Sequence, residues 1–221
     1  MKVGIQFGRL RQWRRGRRHD NRRDTGATQR FRTLAALCGI FVLSAFSAAQ
    51  DQSFQIDPAQ STVKFTVGDV LHTVHGTFKL KRGSLQVQPA GKMSGEIVVD
   101  AASGNSGSGM RDRKMHKEVL ESSKYPEIDF RPDRFDGGVA PQGKSSVMVH
   151  GIFRIHGTER EITVPAQVEM AADHWSAIVH FTIPYAKWGM KNPSTFILRV
   201  SDKVEIGIHT VAHTVHVQTS N

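Results

Sequence analysis

From residue 61 onward, apolar and polar residues alternate in short runs. In residues 61–67, Val63, Phe65 and Val67 fall on one face, and Thr62, Lys64 and Thr66 fall on the other. A period of two with one apolar face is the pattern of a half-buried antiparallel strand. The same reading predicts strands ending in Phe78 and Leu80, then at Leu85 and Val87, and over residues 93–99, 128–130, 147–155, 162–164 and 177–183. Val204, Ile206 and Ile208 close the series. Two phrases nearly repeat: VHGTFKL at residues 74–80 and VHGIFRI at residues 149–155. In each, Val, Gly, Phe and Leu or Ile share the apolar face, while His and the base face water. An inward glycine in mid-strand permits a bulge, a bend or the close approach of another group. Turn clusters punctuate the runs: Asp57-Pro58, Gly68-Asp69, Lys81-Arg82-Gly83, Gly137-Gly138, Pro141-Gln142-Gly143 and His156-Gly157. About eight short strands of this kind predict an all-β protein, either a sandwich or a closed antiparallel barrel. The recurring mid-strand glycines favour the barrel.

One segment departs from the pattern. Residues 101–109 form a Gly/Ser/Asn-rich loop, and residues 110–122 then predict one short helix with Met115, Val119 and Met110 on one face. It stops before Tyr125-Pro126, because the residue before proline disfavours the helical conformation. Such a helix either covers a barrel mouth or serves as a plain connection.

Charge changes the picture less than its total suggests. The formal net charge is +10, but residues 1–50 hold eleven of the thirty Lys and Arg and only two of the twenty Asp and Glu. The remainder carries nineteen bases against eighteen acids. That leaves no basic footprint for nucleic acid. Residues 1–49 read as a basic extension and secretory signal peptide: Arg30 and Arg32 flank an apolar run from Leu34 to Phe46, and Ser47-Ala48-Ala49 supplies the small residues for cleavage after Ala49. The run is too short to span a bilayer, so no integral span is expected after cleavage. The only cysteine, Cys38, lies within it. The expected mature domain, residues 50–221, therefore has no thiol, and it is placed in the periplasm or outside the cell.

Candidate chemistry is sparse. Ten histidines follow the leader, and His209, His213 and His216 are the densest group. A metal site there is one reading, although no acid or thiol accompanies them and His216 has the wrong parity for a flat strand. His75 and His150 occupy the same outward slot of the repeated phrase. No G-x-S-x-G or paired-carboxylate phrase occurs, and Asp112 with His116 is an ordinary i,i+4 pair. No catalytic residue, no metal ligand and no cofactor is assigned. Phe65, Val67, Phe78, Phe130, Val149, Phe153, Ile155, Phe181 and Trp188 form the inward apolar set. They either line a tunnel or fill a core. Tyr185, Lys187 and Trp188 lie near a predicted loop, where a polar head could meet them.

The order of these phrases resembles the YceI-like family. FQIDPAQSTVKF (residues 54–65) fits its opening strand, VHGTF its V-x-G-x-F, and Met110-Arg111-Asp112 with Met115-His116 its helical R-D segment. KYPEIDF (residues 124–130) fits Y-P-x-I-x-F, VHGIFRIHGTEREIT (residues 149–163) fits V-x-G-x-L-x-I-x-G, and SDKVEIGI (residues 201–208) fits the closing strand. The resemblance covers residues 54–209. Where members often carry an Arg and an acid before F-G, this chain has Tyr185-Ala186-Lys187-Trp188-Gly189-Met190, so that Arg's role does not transfer. The resemblance implies a lipocalin-like barrel that is not an enzyme. It implies that the barrel binds or carries an isoprenoid-type or other long-chain amphiphilic lipid, such as a polyprenyl phosphate or a quinone. Under it, Phe65, Val67, Phe78, Phe130, Phe153, Ile155, Phe181 and Trp188 become the ligand-binding set. A His-rich metal-binding barrel and a ligand-free structural barrel remain the alternatives, and a homodimer is compatible with the sequence.

Overall fold

The computed structural model describes residues 51–68, 72–171, 174–196 and 199–215. The expected leader, with Cys38 and Ala49, lies outside them, as does His216. Nine strands are present among the described residues: β1 (Gln52–Ile56), β2 (Thr62–Gly68), β3 (Thr73–Val87), β4 (Met93–Asn105), β5 (Glu127–Asp136), β6 (Gly143–Ile155), β7 (Thr158–Met170), β8 (His174–Ile183) and β9 (Val204–Val215). A helix, α1 (Gly109–Lys114), and a π-helical turn (Met115–Val119) interrupt the series between β4 and β5.

Every pairing is antiparallel, and β2 through β9 form a closed ring of eight strands, with β3 on β4 completing the circuit. This is the closed antiparallel barrel favoured by the alternation and the mid-strand glycines, and it is consistent with the lipocalin-like barrel that the resemblance implies. The remaining strand, β1, pairs with the far halves of β3 and β9, the two neighbours that also hold β2. β1 and β2 are thus one stave, interrupted at residues 57–61. There the Asp57 carboxylate accepts from the Ala59 N–H at 2.8 Å and from the Gln60 side chain at 2.7 Å, a local turn that breaks the ladder.

The alternation places side chains as expected. Along β7, Val164 and Ala166 are buried inside while Glu159, Glu161 and Thr163 are exposed. Two expectations fail for a shared reason. Lys81-Arg82-Gly83 is not a turn, because β3 runs through it with a register shift between Leu80 and Arg82. A bulge lets two consecutive residues face the same side. Lys81 and Arg82 are both exposed, and both reach Glu127 on β5 at 2.8 Å. Gly83 then returns inward against Ile56, where an added Cβ would lie 2.7 Å from the Ile56 side chain. Likewise the Gly/Ser-rich stretch expected as a loop is largely strand, with β4 continuing to Asn105. Gly104 allows Phe78 and Met115 to close on it. Met110, expected on the helix's apolar face, is instead exposed.

Both glycines of the repeated phrase sit against irregularities of a neighbouring strand. Gly76 precedes the shift between Thr77 and Lys79, and Gly151 opposes Pro132, where β5 bulges. At Gly151 a Cβ would lie 2.4 Å from the Arg131 carbonyl oxygen and 2.8 Å from the Pro132 Cα. Both atoms are backbone of β5, which has little freedom to yield.

The outer wall carries its own buried charge. Asp129 is 1% exposed and lies beneath Arg154 and Arg131. Its carboxylate holds the Arg154 guanidinium above the usual value through a hydrogen bond and attraction. Glu127, flanked by Arg82 and then Lys81, is pulled down from 4.5 to about 2.

Two outcomes follow. Gly151→Ala should cost about 1–3 kcal/mol or more through overpacking, whereas Gly138→Ala, with nothing within 4 Å of its added Cβ, should stay within about 0.5 kcal/mol of wild type. Urea midpoints compare them, and equal losses would remove the close-approach explanation. The depressed Glu127 carboxyl contributes stability that is fully present above its ordinary value of 4.5 and is lost as pH falls toward about 2. Melting temperatures of Glu127→Gln should therefore fall less steeply than wild type across that acid window.

Candidate functional site

The barrel interior divides into two halves of different character. At the end bearing the β3–β4 and β5–β6 connections it is a filled core. Trp175 meets Phe54 edge-on at 5.6 Å between ring centroids, and Ile56, Leu80, Leu85 and Val99 pack around them. Ala177 and Ala212 leave room for the large rings. At the other end, which bears the β4–β5 and β8–β9 connections, the interior holds a cavity of about 300 Å3. That volume is at the small end of the range for ligand pockets.

The cavity wall is built from inward positions of seven strands, with Val99 of β4 at its inner limit. Val63, Phe65 and Val67 come from β2, and Val74 and Phe78 from β3. Phe153 and Ile155 come from β6, Phe181 and Ile183 from β8, and Ile206 and Ile208 from β9, while Ile128 of β5 lines it below the helix. Gly76 makes the β2–β3 side possible, because the Phe65 ring occupies the space its side chain would take. Phe65 then tilts against Phe78 at 5.2 Å.

Met115, Val119 and Leu120 cap the cavity from the helical segment, and Tyr185, Met190 and Pro193 from the β8–β9 connection. The helical side is pinned by His116. Its Nε2–H donates to the Gly104 carbonyl at 2.9 Å, so its Nδ1 accepts from the Ser122 hydroxyl at 3.2 Å. This occurs in a π-helical turn, an irregularity that recurs at functional sites. The other cap is tied by Tyr185, whose hydroxyl donates to the Ser201 carbonyl at 2.7 Å. Burial, with help from Asp202, pushes the Tyr185 phenol up to about 12. It is a neutral donor at any physiological pH.

Polar groups gather only at the mouth. Ser106, Arg111, Lys114 and Thr195 line it. Lys114 Nζ donates to the Pro193 carbonyl at 2.9 Å, joining the two caps across the opening. Arg111 donates to the Ser106 carbonyl at 3.0 Å. Asp112, beside it, accepts from the Ser106 N–H and hydroxyl; burial alone would raise its carboxyl, but these bonds hold it below the usual value. The chemistry on offer is an apolar tube with a cationic entrance.

Of the expected ligand-binding residues, Phe65, Val67, Phe78, Phe153, Ile155 and Phe181 line the cavity together. Phe130 and Trp188 do not. Phe130 packs against the same interior cluster, with its ring over Gly151, without lining the cavity. Trp188 packs on Phe153 at 6.0 Å and beneath the Arg160 guanidinium at 5.2 Å. It stands where β7 and β8 part, since their pairing begins only at Ala166, just past Pro165, which has no N–H to donate. Tyr185 reaches the cavity, whereas Lys187 is exposed and not part of it. Lys114 is not singled out from the sequence, and Arg111 enters only within the R-D segment, with no role at a cavity. The usable signal was the i,i+4 spacing of Arg111, Met115 and Val119, which puts one side of the segment over the mouth.

The outward histidines serve cross-strand bonds. His75 Nδ1 is 3.1 Å from the Thr66 hydroxyl, while His150 bridges Asp136 at 2.7 Å and the Thr163 hydroxyl at 2.8 Å. His174 and His213 face each other across β8 and β9. Among the described residues no three His, Cys, Asp or Glu side chains converge to hold a metal, and no helix is long and apolar enough to cross a membrane. Asp112 and His116 have separate hydrogen-bond partners.

Comparisons with known proteins agree with this geometry. A family model described as "YceI-like domain" matches residues 54–212. A polyisoprenoid-binding domain from Saccharophagus degradans, implicated in plant cell wall breakdown, superposes with a TM-score of 0.60 at 19% identity, covering 73% of this chain and 98% of that one. BcnA of Burkholderia cenocepacia gives 0.59 at 20% identity, covering 71% and 98%. The YceI protein of Campylobacter jejuni gives 0.54 at 17% identity, covering 66% and 87%. No curated protein matches the chain.

The two halves of the interior should respond differently to added volume. Leu80→Phe, in the filled half, should lose about 1–3 kcal/mol. Phe153→Trp projects into the cavity and should change stability by less than about 1 kcal/mol. Equal losses in thermal unfolding would mean that the cavity half is also a filled core.

Proposed function

The chain belongs to the YceI-like family, and we propose that it is a non-enzymatic carrier of an isoprenoid-type amphiphile. The observation that carries this reading is the apolar cavity at one end of the barrel, with Arg111 and Lys114 at its entrance. The apolar tail lies among Phe65, Phe78, Phe153 and Phe181, and the polar head stays at the mouth. Burying a methylene is worth about 0.8 kcal/mol, so about ten of them supply some 8 kcal/mol toward offsetting the cost of association. No strong polar contact is needed for affinity.

Head-group choice is where the polar residues matter. Two cations beside an apolar tube favour an anionic head over a neutral one, and a Lys ammonium that spends one donor on Pro193 keeps two for a phosphate oxygen. A polyprenyl phosphate therefore suits the mouth better than a quinone. The basic leader supports export, with cleavage after Ala49 and residues 50–221 as the mature domain in the periplasm or outside the cell.

Lipid extraction of the purified protein followed by mass spectrometry is the direct test. A bound prenyl or acyl chain is expected; a protein that arrives empty and takes up neither would sink the carrier reading. Lys114→Glu should weaken uptake of a prenyl phosphate about tenfold, by roughly the value of one charge-assisted hydrogen bond, and leave uptake of the parent prenol nearly unchanged. Equal loss for both would reject the phosphate assignment alone. Phe153→Trp should remain folded and lose uptake of both.

A further inference from the structure

Charge is spread unevenly over a barrel whose total is almost balanced. The two segments that frame the mouth, residues 106–124 and 184–203, hold nine Lys and Arg against four Asp and Glu. The rest of the chain after residue 50 holds ten against fourteen. All four mouth carboxylates are engaged: Asp112 by Ser106, Glu118 by Lys191, Glu121 by His156 and Asp202 by Asn192. The uncompensated charge at this end is positive, and Arg113, Lys117, Lys187, Arg199 and Lys203 present it at exposed positions.

The same end carries the most exposed large apolar side chains among the described residues. Phe196 is fully exposed at 101% and Met110 is 76% exposed, while Val139, Met148, Ile178 and Val215 stay between 39% and 45%. Each of the two neighbours a residue that lines the cavity mouth, Thr195 and Arg111 respectively. A fully exposed phenylalanine gains nothing from water. Apolar tips surrounded by bases are the arrangement by which a protein seats itself at an anionic bilayer interface.

We propose that the cavity end is a membrane-docking surface: Phe196 and Met110 enter the interfacial zone of a bilayer rich in anionic head groups, and the surrounding Lys and Arg contact those head groups. Docked this way, the mouth opens onto the acyl region, and an amphiphile enters or leaves tail-first without crossing water. The negative remainder of the barrel is held away from the anionic surface, so the dipole orients the approach as well as strengthening it. This goes beyond the carrier reading and does not depend on which lipid the cavity holds.

A local probe separates this docking from adhesion elsewhere on the chain. In the full chain with Cys38→Ser, Phe196→Cys carries a nitrobenzoxadiazole label, and a second protein carries the same label at Gln142→Cys in the β5–β6 connection at the opposite end. Vesicles of phosphatidylcholine with phosphatidylglycerol should blue-shift and brighten the label at 196 and leave that at 142 unchanged. Phosphatidylcholine vesicles, or high salt, should greatly reduce the response. Arg113→Glu with Lys117→Glu and Arg199→Glu, none of which lines the cavity, should raise the vesicle concentration needed at least tenfold. Should that variant unfold, Arg113→Gln with Lys117→Gln gives the same readout at smaller amplitude. No shift at 196, equal shifts at both positions, or insensitivity to head-group charge and to the substitutions would overturn the proposal, whether or not the cavity binds lipid.

Discussion

Closure of the ring is the constraint on which the rest of this molecule depends. An open sheet of these strands would leave two ladders of unpaired N–H and C=O groups and an apolar face in water. Joining β3 to β4 and β2 to β9 removes both problems together. Closing requires the strands to bend, and bends need space on the inside. Gly76, Gly83, Gly104 and Gly151 supply it where a neighbouring side chain or backbone comes within contact distance. The bulges beside them turn residues such as Lys81 and Arg82 to the outside, where Glu127 binds both. Glycine, bulge and outer ion pair are therefore parts of one bending device.

Closure also sets what the inside can be. Eight strands enclose a volume that large side chains fill completely or line incompletely. At one end Trp175, Phe54 and Leu80 meet across the axis and fill it. At the other, the phenylalanines lie along the wall and a helical segment arches over the top, leaving the axis empty. The division gives the barrel a rigid base and a receptive end. It also explains why polar groups are confined to the mouth: farther down, each would need a partner that the apolar wall cannot offer.

Much of this was legible in the alternation. Val63, Phe65 and Val67 point inward because their period is two, and the repeated Val-x-Gly-x-Phe phrase located both the strands and their bending points. The ordered phrases from Phe54 to Ile208 pointed to the same fold. Three things were not legible. The Lys81-Arg82-Gly83 triplet looks like a turn, because two adjacent bases break alternation and only a register shift against β4 reconciles them with a strand. Phe130 and Trp188 have the composition of lining residues, but periodicity reports which face a residue is on and not how far it stands from the axis. Arg111 and Lys114 were hidden in a charged helical stretch, where a cation at a cavity mouth looks the same as a solvated one.

The interrupted first stave has a consequence for how the chain reaches this state. β1 and β2 find their second neighbour only in β9, and the Val211 N–H donates to the Ser61 hydroxyl across 150 residues of sequence. Until the last strand is available, the first two can pair only with β3, and the ring cannot shut. Such long-range closure makes folding slow and keeps strand edges exposed while it waits. Both parts of the first stave therefore stay half-paired until β9 arrives, and the barrel has no closed interior to offer a ligand before that step.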